Sequence, residues 1–351
     1  MLSFSRHLLL SLMILLVCMP KLYASSLAEL SHGLKLDPEQ ISVSGLSSGA
    51  FMAVQLQVIY SKSIMGAGVI AGGPYRCAAG SYLAPWLDVT RTYSMLSVCT
   101  HTLANRWRRL TPDVSFSIQE TKRLAAAGLI DDPKYLARQK VWMFSGANDP
   151  LVPTAIMNTL QSYYQAFIPA ENISYVKNAN ASHGMITENY GRSCDLALPP
   201  FINDCDFDAA GALLQQIYGK LQTKAPVKTT NLFSFNQQTF FDSNDRSISM
   251  HQNAHIYIPS ACKNGQRCKL HIALHGCAQT EDWIGNRFYT QAGYNAWAES
   301  NQIVVLYPQT KAWLANPQAC WDWWGYSGEH YADKEGKQIR ALNTMIRALI
   351  D

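Results

Sequence analysis

A chain of 351 residues with 48% hydrophobic and only 15% charged side chains is long and apolar enough to bury a large core, which excludes a disordered polypeptide. Its formal net charge is +4, and two of its basic residues, Arg6 and Lys21, fall in a predicted leader, so the remainder is nearly balanced. No long basic run exists, which argues against a nucleic-acid partner.

Residues 1–24 read as a secretory signal peptide. Arg6 and His7 precede an apolar run from Leu8 to Val17, and small residues follow at Ala24, Ser25 and Ser26. The run is too short to span a bilayer comfortably. Cys18 follows Leu16-Val17, whose bulk fits lipoprotein processing poorly. No later segment is long and apolar enough to form an integral membrane segment, so residues 25–351 are expected to be secreted, extracellular or periplasmic.

Setting Cys18 aside leaves Cys77, Cys99, Cys194, Cys205, Cys262, Cys268, Cys277 and Cys320. An even number in an exported chain predicts disulfides. Pairing of sequence neighbours is expected because it closes the shortest loops. The doubled short cysteine spacing of a zinc site does not occur, and neither a metal nor a cofactor is expected.

Ile41 to Ser44 is a short strand ending at Gly45, and Ala50, Met52, Ala53, Val54, Leu56, Val58 and Ile59 read as a buried helix. A strand at Ala67–Ala71 is stopped by Gly72-Gly73-Pro74. Residues 75–139 read as loops and helices, with one helix near Ile118–Ala127. Val141–Ser145 and Ile173–Val176 are further strands, the second followed by a polar loop that holds His183. A helix is expected over 209–221, then a polar linker at 222–230. Strands follow at 230–235, 254–258, 269–274 and 303–307, with a helix over 281–299. The C-terminal helix carries Ile339, Leu342, Ile346 and Leu349 on one face. Strands alternating with helices imply an α/β fold, with a mostly parallel central sheet and helices on both faces.

Gly45-Leu46-Ser47-Ser48-Gly49 matches G-x-S-x-G, in which a serine sits on a strained strand-to-helix turn and the flanking glycines allow close backbone passage. Only Ser47 has a glycine two residues before it and two after it. A serine nucleophile needs a base, and the base an orienting acid, in the chain order Ser, acid, His. Asp149 and His183 follow successive strand ends downstream of Ser47. Taken singly, Asp149 also fits a turn before proline and His183 a surface loop. Asp131 and Asp132 precede proline and read as a helix start.

An oxyanion hole needs two backbone N–H groups. One belongs to Ser48, the residue after the nucleophile. The other normally comes from a His-Gly loop ahead of the nucleophile, yet here Leu270–Leu274 leads into His275-Gly276-Cys277 far behind it. Circular permutation accommodates this order, with 222–230 as the permutation junction.

With that arrangement the sequence resembles the secreted short-chain polyhydroxyalkanoate (polyhydroxybutyrate) depolymerases that have a circularly permuted α/β-hydrolase catalytic domain. The resemblance runs over nearly all of the mature chain. It rests on Ser44–Met52, Ala71-Gly72-Gly73-Pro74-Tyr75, Gly146–Pro153, Leu274-His275-Gly276-Cys277 and Cys320–Tyr326. It implies a Ser47–Asp149–His183 triad, an oxyanion hole from Ser48 and Cys277, and a polyester or oligoester substrate. A single catalytic α/β-hydrolase domain over 25–351 is expected, without a separate polymer-binding domain, and as a monomer.

Trp321, Trp323 and Trp324 are candidates for an apolar substrate crevice, although core packing is the plainer role for tryptophan. If Cys277 pairs with Cys320, the oxyanion loop is tied to this aromatic segment. A bonded cysteine cannot serve as a rival nucleophile. Asn172-Ile173-Ser174 and Asn180-Ala181-Ser182 match the glycosylation sequon, and a glycan on Asn180 would crowd His183. The expected activity is serine-esterase hydrolysis of poly(3-hydroxybutyrate) or its oligomers through an acyl-enzyme. The alternatives are a small-ester esterase or lipase of the same fold, and a non-catalytic polymer- or glycan-binding protein.

Overall fold

The computed structural model describes residues 26–79, 88–101 and 110–351, and the expected leader lies outside them. The strands, in chain order, are β1 (Lys35–Leu46), β2 (Ile64–Ile70), β3 (Lys140–Gly146), β4 (Ile173–Asn178), β5 (Met185–Thr187), β6 (Arg192–Ser193), β7 (Ile202–Asp204), β8 (Leu232–Asn236), β9 (Asn253–Tyr257), β10 (Arg267–Leu274) and β11 (Ile303–Tyr307). Eight of them form one sheet in the order β4-β3-β2-β1-β10-β11-β9-β8. The strands from β4 to β11 pair in parallel, while β9 pairs antiparallel with both β11 and β8 at one edge. This is the circularly permuted α/β-hydrolase arrangement: the first strand of the chain sits mid-sheet beside β10, which comes late in sequence.

β2 and β11 are apolar along their whole length because helices cover the sheet on both faces, whereas β1 and β10 bury Ser42, Ser44 and His271, with both serine hydroxyls 2.7 Å from the His271 ring nitrogens. The helix Ser48–Ile59 packs on β1, β2 and β10, and every one of its residues is buried. Its two glutamines are bonded inside the core. Gln57 donates to Gln139 Oε1 at 2.8 Å and accepts from Tyr164 Oη at 2.6 Å, and Gln55 donates to Asp322 O at 3.0 Å. The helix Ala209–Tyr218 lies over β2, where Gly66 and Gly68 leave room for Ile217 and Leu213.

Three features depart from the sequence expectation. β1 starts six residues before Ile41, because the sheet absorbs Asp37-Pro38 as a register shift between Leu36 and Ile41. The helix expected over 281–299 is three short ones, Glu281–Ile284, Arg287–Gln291 and Tyr294–Asn301. Gly285 and Gly293 break it, each with a positive φ that ends helical backbone. The sequence also gave no sign of the small parallel sheet β5-β7-β6, whose strands are two or three residues long.

The 222–230 segment is pinned to the body of the protein. Gln222 N–H donates to Asn301 Oδ1 at 2.7 Å, Ala225 N–H to Ala296 O at 2.9 Å and Lys228 N–H to Tyr257 Oη at 3.2 Å. Its far end converges on Glu299, which accepts from Asn231 Nδ2 at 2.9 Å and Tyr257 Oη at 2.8 Å, with Lys228 Nζ at 3.3 Å. Burial opposes ionisation of Glu299, but hydrogen bonds from Ser260, Tyr257, Asn231 and Lys228 outweigh it and hold the carboxyl at about 2, below its ordinary 4.5. A depressed carboxyl adds stability that is complete above the unfolded-state value and lost as pH falls toward the folded one. Glu299→Gln is therefore expected to be less stable than the parent above pH 4.5, with the gap closing toward pH 2, in urea unfolding followed across acid pH. A gap independent of pH would show that ionised Glu299 does not hold this segment.

Candidate active site

Ser47 stands between β1 and the helix Ser48–Ile59 with φ 56° and ψ −123°, a backbone conformation that L-residues rarely adopt. The turn is possible because of its two glycines. A Cβ on Gly45 would lie 2.2 Å from Gly49 O, and a Cβ on Gly49 would lie 2.3 Å from His275 O. Ser48 is the first residue of the helix, so its N–H has no carbonyl one turn back to bond.

Asp149 and His183 are brought together from two loops beyond β3 and β4. Asn148 N–H donates to Ala181 O at 3.0 Å, and Ser182 Oγ donates to Asn148 O at 3.1 Å, which ties the loops side by side. His183 Nδ1 lies 2.8 Å from Asp149 Oδ2, and both side chains are buried. Asp149 Oδ1 accepts from Leu151 N–H and Val152 N–H, each at 2.8 Å. With Nδ1–H given to the carboxylate, Nε2 of His183 is the nitrogen left for proton transfer. The β5-β7-β6 sheet, closed by the Cys194–Cys205 disulfide, braces the histidine loop: Ser182 N–H donates to Cys194 O at 2.8 Å.

Ser47 and His183 both line one cavity of about 460 Å³, whose wall is mainly apolar: Leu46, Met95, Leu151, Val152, Phe201, Trp323 and Trp324. Among the described residues Ser47 Oγ makes no hydrogen bond, and such bonds are often long before substrate arrives.

The His-Gly segment forms the opposite lip. Burial holds His275 down to about 4, so its ring is neutral. Its Nε2 accepts from Thr310 N–H at 3.2 Å, which leaves the proton on Nδ1 to donate to Gly276 O at 2.7 Å. Ala278 N–H donates to Gln318 O at 2.7 Å. Cys277 lines the cavity, its sulfur is bonded to Cys320, and among the described residues its N–H has no acceptor. The other disulfides are Cys77–Cys99, Cys194–Cys205 and Cys262–Cys268, so sequence neighbours pair throughout.

Of the three tryptophans, Trp323 and Trp324 line the cavity and Trp321 does not. Trp321 is fully buried with its ring 5.4 Å from that of His275, a correction to its reading as a crevice residue. Asp131 lies away from the cavity and pairs with Lys334 at 2.7 Å, while Asp132 caps the turn Pro133–Arg138. Sequence reading missed Phe51, whose ring stacks on Trp323 at 3.9 Å, and Phe201, whose ring meets that of His183 edge-on at 6.4 Å. It also missed Met95, Leu96 and Thr100. No pattern marks these residues, since only the fold brings them to the site.

No family model matches the chain. It is 41% identical over 318 residues to the poly(3-hydroxybutyrate) depolymerase of Delftia acidovorans, a match covering 89% of this chain and 60% of that protein's length. It is 33% identical over 333 residues to the polyhydroxybutyrate depolymerase of Talaromyces funiculosus, covering 90% of this chain and 91% of the relative. The solved structure of a PHB depolymerase variant complexed with an R3HB trimer superposes with a TM-score of 0.80 at 32% identity, over 90% of this chain and 97% of that one.

Replacing Trp321 by alanine removes a large side chain from a fully buried position and should cost about 3–5 kcal/mol of stability in urea unfolding. A loss below about 1 kcal/mol would show that the ring is not part of the core. The fold, the geometry around Ser47 and the match along nearly the full length of a fungal relative agree: the chain belongs to the polyhydroxybutyrate depolymerase family.

Proposed function

We propose that the chain is a secreted serine esterase that hydrolyses ester bonds of poly(3-hydroxybutyrate) or its oligomers. The observation that carries the reading is the Asp149–His183 pair, 2.8 Å apart, opening with Ser47 into one mainly apolar cavity. A polyester with short alkyl side chains suits such a wall, and Trp323 and Trp324 are the proposed contacts for it. The oxidised cysteines favour a compartment outside the cytosol. No helix among the described residues is long and apolar enough to cross a membrane.

In the proposed cycle Ser47 Oγ attacks the ester carbonyl carbon while His183 Nε2 takes its proton. The carbonyl oxygen becomes an oxyanion, met by the N–H groups of Ser48 and Cys277. The positive end of the helix Ser48–Ile59 adds to this stabilisation. Collapse breaks the bond to the alcohol oxygen, which leaves with the proton from His183. Water, deprotonated by His183, then attacks the acyl-serine; the bond from the acyl carbon to Ser47 Oγ breaks, the proton returns from His183 to Ser47 Oγ, and the carboxylic acid is freed. Asp149 holds the imidazole in the tautomer that this requires. Cys277 contributes its N–H alone, because a disulfide sulfur is no nucleophile.

The test is turnover of amorphous poly(3-hydroxybutyrate) granules, with product sizes identified, beside hydrolysis of a soluble short-chain ester. Ser47→Ala is expected to remove both activities, and Asp149→Asn to lower them about 10⁴-fold. Ser48→Ala should be milder, since its buried hydroxyl has no hydrogen-bond partner and only its N–H is used. Equal losses in Ser47→Ala and Ser48→Ala would overturn the register. Ester hydrolysis without granule turnover would favour a small-ester esterase, and failure of an organophosphonate to label the protein would favour a binding role.

A further inference from the structure

The oxyanion lip carries three consecutive peptide N–H groups, at Gly276, Cys277 and Ala278, and only the middle one is free among the described residues. Ala278 N–H is taken by Gln318 O at 2.7 Å. Gly276 N–H is taken by the side chain of Gln279, whose Oε1 accepts it at 2.7 Å. The same amide reaches the other way. Gln279 Nε2 donates to Pro200 O and to Phe201 O, both at 2.9 Å. Gln279 is 1% exposed, so these bonds are made out of competition with bulk water.

The two ends of this amide hold opposite sides of the reaction. Gly276 abuts the nucleophile: a Cβ placed on it would lie 3.3 Å from Ser47 Cβ. Phe201 abuts the base: its ring meets the His183 ring edge-on, and its carbonyl also accepts from Met185 N–H at 2.8 Å, two residues beyond His183. The amide's polarity is set by its partners. One acceptor atom faces an N–H and one donor group faces two carbonyls, so no flipped amide or carboxylate could satisfy all three.

We propose that Gln279 is a positioning residue that locks the oxyanion lip to the histidine loop. It leaves Cys277 N–H as the lip's single free donor and keeps that donor in register with His183. The inference rests on the serine-esterase reading above. Gln279 acts through Gly276 and Phe201 and need not touch the reacting atoms. Its loss should therefore appear in the chemical step more than in substrate binding.

The experiment compares the parent protein with Gln279→Met, which keeps the length and removes all three bonds, and Gln279→Glu. A glutamate carboxylate would face the two carbonyls and repel them. Once protonated, it can again accept from Gly276 N–H and donate to one carbonyl. Initial rates on p-nitrophenyl butyrate across pH give kcat and KM, and diethyl p-nitrophenyl phosphate labelling with peptide mapping locates the nucleophile. The expected result for Gln279→Met is a fall in kcat of about 100-fold with little change in KM, as for a small misplacement of catalytic groups. The ratio of Gln279→Glu to parent kcat should rise as pH falls, while the Gln279→Met ratio stays flat. Parent-like kcat in Gln279→Met, or a Gln279→Glu ratio that does not rise toward acid pH, would overturn the proposal. If Gln279→Met does not fold, the pH dependence of the Gln279→Glu ratio decides it alone. A parent protein that takes no label on Ser47 would sink the esterase reading and this inference together. Labelling at Ser47 with unaltered variant kinetics would sink only this one.

Discussion

The start of the helix Ser48–Ile59 touches the end of β10, backbone against backbone, and the site depends on that approach. A single methyl group on Gly49 would collide with the carbonyls of both Leu274 and His275. Because nothing stands between them, the first free N–H of the helix and the lip that follows β10 come to the same place. The parallel pairing of β1 with β10 sets this in register, with Gly45 opposite Leu274. The left-handed turn at Ser47 is then the conformation that lets a strand pass into a helix at such close quarters.

Around this contact the loops are held by short polar ties. The loops that carry Asp149 and His183 are bonded to each other through Asn148, Ala181 and Ser182. The lip is bonded through neutral His275 to Thr310, and through Cys277 to Cys320 at the head of the aromatic segment. That segment is itself folded about Asp322, whose carboxylate accepts from the N–H groups of Gly325, Tyr326 and Ser327. Phe51, one turn into the elbow helix, stacks on Trp323 from behind. The apolar wall of the cavity and the Ser47 turn therefore share one support, and a change in either loop is felt by both.

Much of the fold was legible because it follows from local pattern. The G-x-S-x-G turn, the strands before Asp149 and His183, and the late His-Gly lip each combine a short apolar run with glycine or proline punctuation, and each lies where that pattern puts it. What stayed hidden depends on distant parts of the chain. A two-residue strand such as Arg192–Ser193 has no periodicity to read. Phe201 and Met95 enter the cavity only through tertiary placement. Trp321, Trp323 and Trp324 look alike in sequence, yet the first is fully buried away from the cavity while the other two line it, a difference made by the irregular course of the segment and its packing against His275. Gln279 shows the same limit, since nothing in its neighbours reveals that Pro200 and Phe201 will be opposite it.

In the proposed reaction the negative oxygen sits beside the N–H groups of Ser48 and Cys277, on an adduct of Ser47. A crystal structure of the protein inactivated by a p-nitrophenyl alkylphosphonate would read this directly. The account predicts phosphorus bonded to Ser47 Oγ, with the phosphonyl oxygen within about 2.7–3.1 Å of both nitrogens. Phosphorus on any other residue, or a phosphonyl oxygen turned away from Cys277 N–H, would contradict it.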